Sequence, residues 1–488
     1  MMHRRTKIIA TLGPATGDEQ VLSELIDAGV DLVRLNFSHG TIEEHKRRVE
    51  MVRRISESKH YHIGILGDLQ GAKLRIGRFK QGKITLHEGD EFRLDAELDL
   101  ESGDQHTVGF TYKGLVNDVT AGDTLLLDDG RIALDVTAVE GKVVKTTVKV
   151  GGELSSNKGM NRKGGGLSAK CITEKDINDI AHAKELDLDY IAISFLKNTS
   201  DIQRVRDLLR ENDCDAAIVA KIETSESLQI IDDILECTEA IMIARGDLGV
   251  EIGDEEVPAV QKSLISKAAK TNCLVITATQ MMESMINSPI PTRAEVSDVA
   301  NAVLDGTDAV MLSGETAVGS YPVQTVNAMS RVCRASEVRE AELHADYEHA
   351  TCDRVDKGIA MSAMYLANHL KVAAIAALTE SGSTPLWMSR ISSNIPIYAL
   401  TRHVKTCRRV TLYRGVFPAK LNFLGKTHAE VNHAAVTVLQ HSNEVEDNDL
   451  VILTKGDLIG VDGGTNAMKV LRVGHMLEEE DDPEHKSA

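Results

Sequence analysis

The chain has 488 residues, 42% hydrophobic and 26% charged, with a formal net charge of −19. That length has room for roughly three domains and a substantial core, and the composition is that of a globular enzyme. The acidic balance excludes a nucleic-acid partner, which needs a basic footprint, and 3% aromatic residues with one tryptophan leave no stacking surface for single strands.

Seven scattered cysteines (171, 214, 237, 273, 333, 352, 407) form no Cys-x-x-Cys pair. This fits a reduced, cytoplasmic chain with neither a disulfide framework nor a zinc site. No apolar run approaches the ~20 residues of a membrane span, and Met1 to Lys7 runs directly into a strand pattern without a signal-peptide core.

Eight continuous β-branched and aliphatic runs are predicted strands: 6–12, 30–36, 62–68, 188–195, 216–223, 240–247, 273–280 and 309–315. Helix patterns lie between them. Thr173 and Thr292 stand where N-caps belong, and Gly29 closes the first helix. Eight alternating units predict a (β/α)8 TIM barrel, with chemistry at the C-terminal strand ends. About a hundred residues between the third and fourth strands break the pattern. There, 83–95, 124–127 and 131–150 alternate apolar and polar residues between glycine turns, which predicts an inserted β domain placed as a lid. Gly151 to Gly166 reads as its return hinge or as a plain linker. Beyond about 345, helices 355–370 and 428–441 alternate with apolar runs 372–378, 395–400, 450–454 and 468–473, an open α/β domain. The expected division is barrel 1–70, inserted β domain 71–168, barrel 169–345, C-terminal α/β domain 346–476 and an acidic tail 477–488.

Polar residues gather at the strand ends: Arg34, Asn36, Ser38, Asp68, Lys221, Glu223, Arg245, Asp247, Thr279, Gln280, Ser313 and Glu315. Each alone reads as a buried ion pair or a helix cap. Together they point to a metal or anionic ligand, because desolvating so many charges on one face is otherwise costly. Glu223 and Asp247 offer hard oxygen ligands from adjacent strands, a donor set suited to Mg²⁺. Arg34, Arg75 and Lys221 add positive charge, and Gly246 adds a bare backbone N–H. Metal, cations and backbone donors are the equipment of phosphoryl transfer. His39, beside the strand-two cluster, suits ligand contact or loop packing equally. The segment Gly425-Lys426-Thr427 is no P-loop, because Lys420 stands where its first glycine belongs.

The runs Arg34 to Gly40, Lys221-Ile-Glu223, Ala244 to Glu251, Ala278 to Met285 and Ala300 region to Glu315 resemble pyruvate kinase. The likeness runs from about residue 6 to 474, and Gly67-Asp-Leu-Gln-Gly71 resembles the bacterial type most. The resemblance implies a TIM barrel with a small β-barrel lid and a C-terminal α/β regulatory domain. It implies that Arg34 holds the transferring phosphate and Lys221 offsets charge on the phosphoryl group and enolate. Glu223 and Asp247 would ligate Mg²⁺ or Mn²⁺, Gly246 and Thr279 would contact the substrate carboxylate, and Thr279 would face the protonated side of the enolate. Asn36, His39, Arg75 and Lys158 would serve the nucleotide. The implied substrates are phosphoenolpyruvate and ADP, the products pyruvate and ATP, and the assembly a homotetramer.

A monovalent-cation site at Asn36, Ser38, Asp68 and the Leu69 carbonyl is implied as well. Lys73 stands where potassium-activated relatives have an acid, so activity without K⁺ is expected. Ala72 replaces a hinge proline of most relatives. The loop Thr379, Ser381, Gly382, Ser383 and Thr384 follows an apolar strand, and either cradles a phosphate or caps the next helix. Relatives bind effectors here, so a sugar phosphate or AMP is expected.

Overall fold

The structure, a computed structural model, describes residues 4–340, 352, 354–442, 444–457 and 463–475. The acidic tail and the boundary expected near 345 lie outside these residues. Eight parallel strands close a barrel: Lys7–Thr11, Leu32–Asn36, Gly64–Asp68, Tyr190–Ile193, Ala217–Ile222, Ala240–Ala244, Leu274–Ala278 and Ala309–Leu312. All eight predicted strands are present, each trimmed at one or both ends. Several are buried along their whole length, which is why their sequences are apolar runs without alternation. Thr173 caps helix Glu174–Ala181 and Thr292 caps Arg293–Leu304, each through a capping box with the residue three positions on. Gly29, at φ +107°, releases the chain after the first long helix as only glycine does readily.

Between the third and fourth barrel strands the chain builds a six-stranded sheet, with a ribbon formed by Lys83–Leu86 and Gly152–Ser155. Its core is separate, with Phe92, Leu94, Phe110, Leu125 and Leu134 among its members. Gly151 to Gly166 is not one linker. It contains the strands Gly152–Ser155 and Met160–Arg162, and the return crossing begins only after them. That crossing is bound to the barrel, with Gly166 N–H donating to Glu226, Ser225 Oγ to Gly164 O, and Lys197 to the carbonyls of Leu167 and Ala169.

The C-terminal sheet has the order Val416–Lys420, Ile397–Thr401, Val372–Leu378, Leu450–Lys455, Ala467–Arg472, the last strand antiparallel. Val416–Lys420 is not among the predicted strands; it lies at the sheet edge, where Pro418 and its missing N–H are tolerated. This domain docks on the barrel's N-terminal end. Tyr190 Oη donates to Arg409 O at 2.7 Å, Arg390 pairs with buried Asp308, and the barrel interior shares one apolar cluster with Met388, Tyr413 and Val416. The opposite, C-terminal mouth of the barrel is left to the inserted domain.

Candidate active site

At that mouth the strand ends bring four charged side chains together. Lys221 Nζ lies 2.7 Å from Glu223 Oε1 and 3.5 Å from Asp68 Oδ1, and donates to Ser194 Oγ at 2.8 Å. Arg34 Nε donates to Asp68 Oδ2 at 2.7 Å, and Arg34 Nη1 to Thr11 Oγ1 at 3.1 Å. Asp68 and Glu223 are each 1% exposed, so neither carboxylate is stable there without these cations.

The proton equilibria follow from that packing. Burial opposes the charge of Lys221, but the Asp68 and Glu223 carboxylates outweigh it and hold the ammonium above the ordinary lysine range. Burial likewise works against ionised Asp68, yet Lys221 and Arg34 hold its pKa below the usual carboxylate value. Glu223 goes the other way. Burial raises it, Lys221 lowers it, and the neighbouring negative charge of Asp247 raises it again.

Asp247, in the first turn of helix Arg245–Ile252, accepts from Lys73 Nζ at 3.0 Å. Lys73 therefore reaches from the start of the inserted domain to a strand-six carboxylate, rather than resting on Asp68. Gly246 N donates to Thr279 Oγ1 at 3.0 Å, and that hydroxyl donates to Ala278 O at 2.6 Å. Asn36 Oδ1 accepts from Ser38 N at 3.1 Å, and exposed His39 donates its backbone N–H to Asn36 O. On the inserted domain, Arg75 Nη1 donates to Asn157 O at 2.9 Å and Lys158 pairs with Asp128 at 2.6 Å.

Two carboxylates, Glu223 and Asp247, are what the site offers a divalent ion. No cluster of three or more His, Cys, Asp and Glu suited to a metal occurs among the described residues. Such a sparse, all-oxygen pair fits Mg²⁺, which keeps water and substrate oxygens in its shell. Asp68 Oδ1 is buried without a hydrogen-bond partner, which fits a monovalent cation beside Asn36, Ser38 and Leu69. Leu69 O accepts from Ser194 Oγ at 2.8 Å.

Two residues are absent from the sequence reading, and a third has a different part from the one expected. Ser194 links Lys221 to the Leu69 carbonyl, and only its position ending strand four hints at it. Phe195, at φ +54°, aims its N–H at Glu223 Oε2 over 2.8 Å. Glu315, gathered among the chemical residues, instead accepts from Ser313 N and Met282 N and ties two loops together. In the C-terminal domain, Gly382 N donates to Thr379 Oγ1, Ser381 Oγ meets Ser383 Oγ at 2.9 Å, and Thr384 Oγ1 meets Thr465 Oγ1 at 2.9 Å.

Comparison with known proteins agrees with this architecture. Residues 3–326 match the family model for the barrel domain of pyruvate kinase, and 357–471 that for its alpha/beta domain. Pyruvate kinase II of Salmonella typhimurium is 51% identical over 475 residues, 96% of this chain and 99% of that protein. The Haemophilus influenzae pyruvate kinase is 50% identical, over 93% of this chain and 96% of its own length. The Staphylococcus epidermidis pyruvate kinase is 40% identical, over 96% of this chain and 81% of its own. With both domains matched and half of all aligned positions identical, the chain belongs to the pyruvate kinase family.

Proposed function

We propose that the chain is a phosphotransferase of glycolysis that moves the phosphoryl group of phosphoenolpyruvate to ADP, giving pyruvate and ATP. The supporting observation is the cluster of Arg34, Asp68, Lys221 and Glu223 beside Asp247 at the barrel mouth. In the reaction the bond from phosphorus to the enol oxygen breaks and one to a β-phosphate oxygen of ADP forms. The enolate left behind takes one proton at C3.

Arg34 is suited to hold the transferring phosphate, since its Nε is fixed by Asp68 and its fork can still reach an anion. Lys221, kept charged, stabilises charge on the moving phosphoryl group and on the enolate oxygen. Glu223 and Asp247 would hold Mg²⁺ or Mn²⁺, which supplies charge neutralisation between substrate oxygens. The Gly246 N–H and Thr279 hydroxyl, now paired with each other, would exchange that bond for the substrate carboxylate. Asn36, His39, Arg75 and Lys158 would meet the ADP or ATP phosphates from the barrel mouth and the inserted domain. That domain is read as a lid that excludes water when substrates are bound.

Asp68 Oδ1, which accepts no hydrogen bond though Lys221 Nζ lies 3.5 Å away, supports a monovalent-cation site with Asn36, Ser38 and Leu69, whereas Lys73, a positive charge at the same mouth, supports activity without K⁺. A phosphorylated sugar or AMP at Thr379, Ser381, Gly382, Ser383 and Thr384 is the proposed effector. We place the enzyme in the cytoplasm as a homotetramer. No helix among the described residues is long and apolar enough to cross a membrane, and the seven cysteines are free thiols.

The test is pyruvate release from phosphoenolpyruvate and ADP with Mg²⁺, read by a coupled reductase. No pyruvate from phosphoenolpyruvate and ADP would instead indicate a mutase or aldol-type lyase on the same barrel, or a regulatory homologue, and pyruvate released without ADP would indicate hydrolysis rather than phosphoryl transfer.

A further inference from the structure

The turn after the seventh barrel strand is strained. Thr279 sits at φ +66° and Gln280 at φ +55°, two consecutive left-handed residues without a glycine. For a β-branched residue this is an outlier that persists only where its surroundings impose it. Arg245 imposes it. This arginine opens helix Arg245–Ile252 and is 8% exposed. Its Nη2 donates to Thr279 O at 2.6 Å and its Nε to Ala278 O at 3.2 Å, gripping both carbonyls of the turn. Nη2 also contacts Met281 Sδ at 2.8 Å. Behind it, Asp298 on helix Arg293–Leu304 takes the guanidinium fork, with Nη1 to Oδ1 at 2.6 Å and Nη2 to Oδ2 at 2.8 Å. Gln261 Oε1 accepts a longer bond from Nη1 at 3.4 Å.

We infer that Arg245 and Asp298 form a positioning clamp that fixes the Thr279 hydroxyl for the proton step at C3 of the enolate. Neither residue touches the reacting atoms. The clamp holds the turn in the conformation that keeps Oγ1 3.0 Å from Gly246 N, at the mouth of the barrel. Released from the guanidinium, the turn relaxes toward ordinary φ values and swings the hydroxyl away. The strain is thus used for preorganisation, and Asp298 acts through Arg245 from a separate helix. The inference rests on the reading that Thr279 serves the enolate.

The experiment compares Asp298→Asn, Arg245→Lys, Thr279→Ala and Thr279→Ala/Asp298→Asn. Readouts are kcat, KM for phosphoenolpyruvate, and exchange of the methyl hydrogens of pyruvate for deuterium in heavy water, which reads the proton step directly. Calorimetric unfolding identifies folded variants; lysine at 245 keeps the charge and one bond to Asp298 while losing the fork. Asp298→Asn and Arg245→Lys should lower kcat and methyl exchange together by about 10- to 100-fold, with KM within about threefold, as a small misplacement does. Asp298→Asn should cost nothing further once Thr279 is alanine. Full kcat in Asp298→Asn and Arg245→Lys, or an equal loss with Thr279 absent, overturns the clamp but leaves the role of Thr279 standing. Full kcat and exchange in Thr279→Ala overturns that role and the clamp with it.

Discussion

Replacing Lys73 by methionine should tighten divalent-metal binding in the absence of substrates. Lys73 Nζ lies 3.0 Å from Asp247 Oδ1, on a carboxylate that would serve the metal. At that separation two unit charges attract by about 5.5 kcal/mol at an effective dielectric of 20. The two side chains are 26% and 22% exposed, so water and ions reach the pair and most of this is screened. Exposed pairs retain at most about 1 kcal/mol, and a partly buried one somewhat more. A divalent ion entering between Glu223 and Asp247 must give up that attraction or tolerate the ammonium beside it. With about 1 to 2 kcal/mol at stake, Lys73→Met should bind Mn²⁺ roughly 5- to 30-fold more tightly. Titration calorimetry or the loss of the free Mn²⁺ electron paramagnetic signal measures this without turnover. Unchanged or weaker Mn²⁺ binding would refute the reasoning, because it would mean that Lys73 does not compete for Asp247.

Lys221→Met should reduce kcat by about 100- to 1,000-fold with little change in KM for phosphoenolpyruvate, since its charge is needed most in the transition state; near-normal turnover removes the role assigned to it. Glu223→Gln and Asp247→Asn should each raise the Mg²⁺ concentration needed for half-maximal rate and depress kcat, with a metal titration as the check. In a tetramethylammonium buffer free of K⁺ and NH₄⁺ the unmodified enzyme should keep its activity, and potassium dependence should emerge in Lys73→Glu; strong activation of the unmodified enzyme by K⁺ contradicts this. Glu251, half-buried near the return crossing and accepting from Ser225 N, has its pKa pushed up to about 7, desolvation outweighing that hydrogen bond. A raised carboxylate pKa means that the folded state binds the proton more tightly. Stability is therefore fully present below the unfolded pKa and falls as pH rises from about 4.5 to 7, by at most about 3 kcal/mol. Urea midpoints at pH 5 and 8 should differ less in Glu251→Gln.

The barrel was legible because parallel strands covered on both faces must be apolar throughout, and because Lys221, Glu223 and Asp247 interrupt those runs only where they end. The capping threonines at 173 and 292 were legible for a local reason: a cap and its partner three residues on sit within one turn. What the sequence hid depends on distance or on backbone conformation. Lys73 and Asp247 are 174 positions apart, and no local pattern pairs them. Arg245 reads as one more strand-end cation, yet its fork turns away to Asp298 and to two carbonyls. The left-handed φ of Phe195 and Thr279 carries no signal either, since neither residue is glycine or asparagine. The edge strand Val416–Lys420 carries only five residues with a proline among them, and edge position is a property of the sheet, not of the segment.

The charges at the mouth explain why so polar a site survives in a barrel. Arg34 and Lys221 sit against Asp68 and Glu223, and Lys73 against Asp247, so three cations meet three carboxylates. Such a set folds without a ligand, since no buried charge is left uncompensated. It is also poised for exchange. On the proposed roles, an anionic substrate would draw Arg34 and Lys221 toward its phosphate, which would strip countercharge from Glu223, and a divalent cation would restore it. The metal and the anion would therefore favour each other's binding through the same few side chains. Lys73 is the one member carried by the inserted domain, so freeing it from Asp247 would link the state of the proposed metal site to the chain segment that leads into that domain.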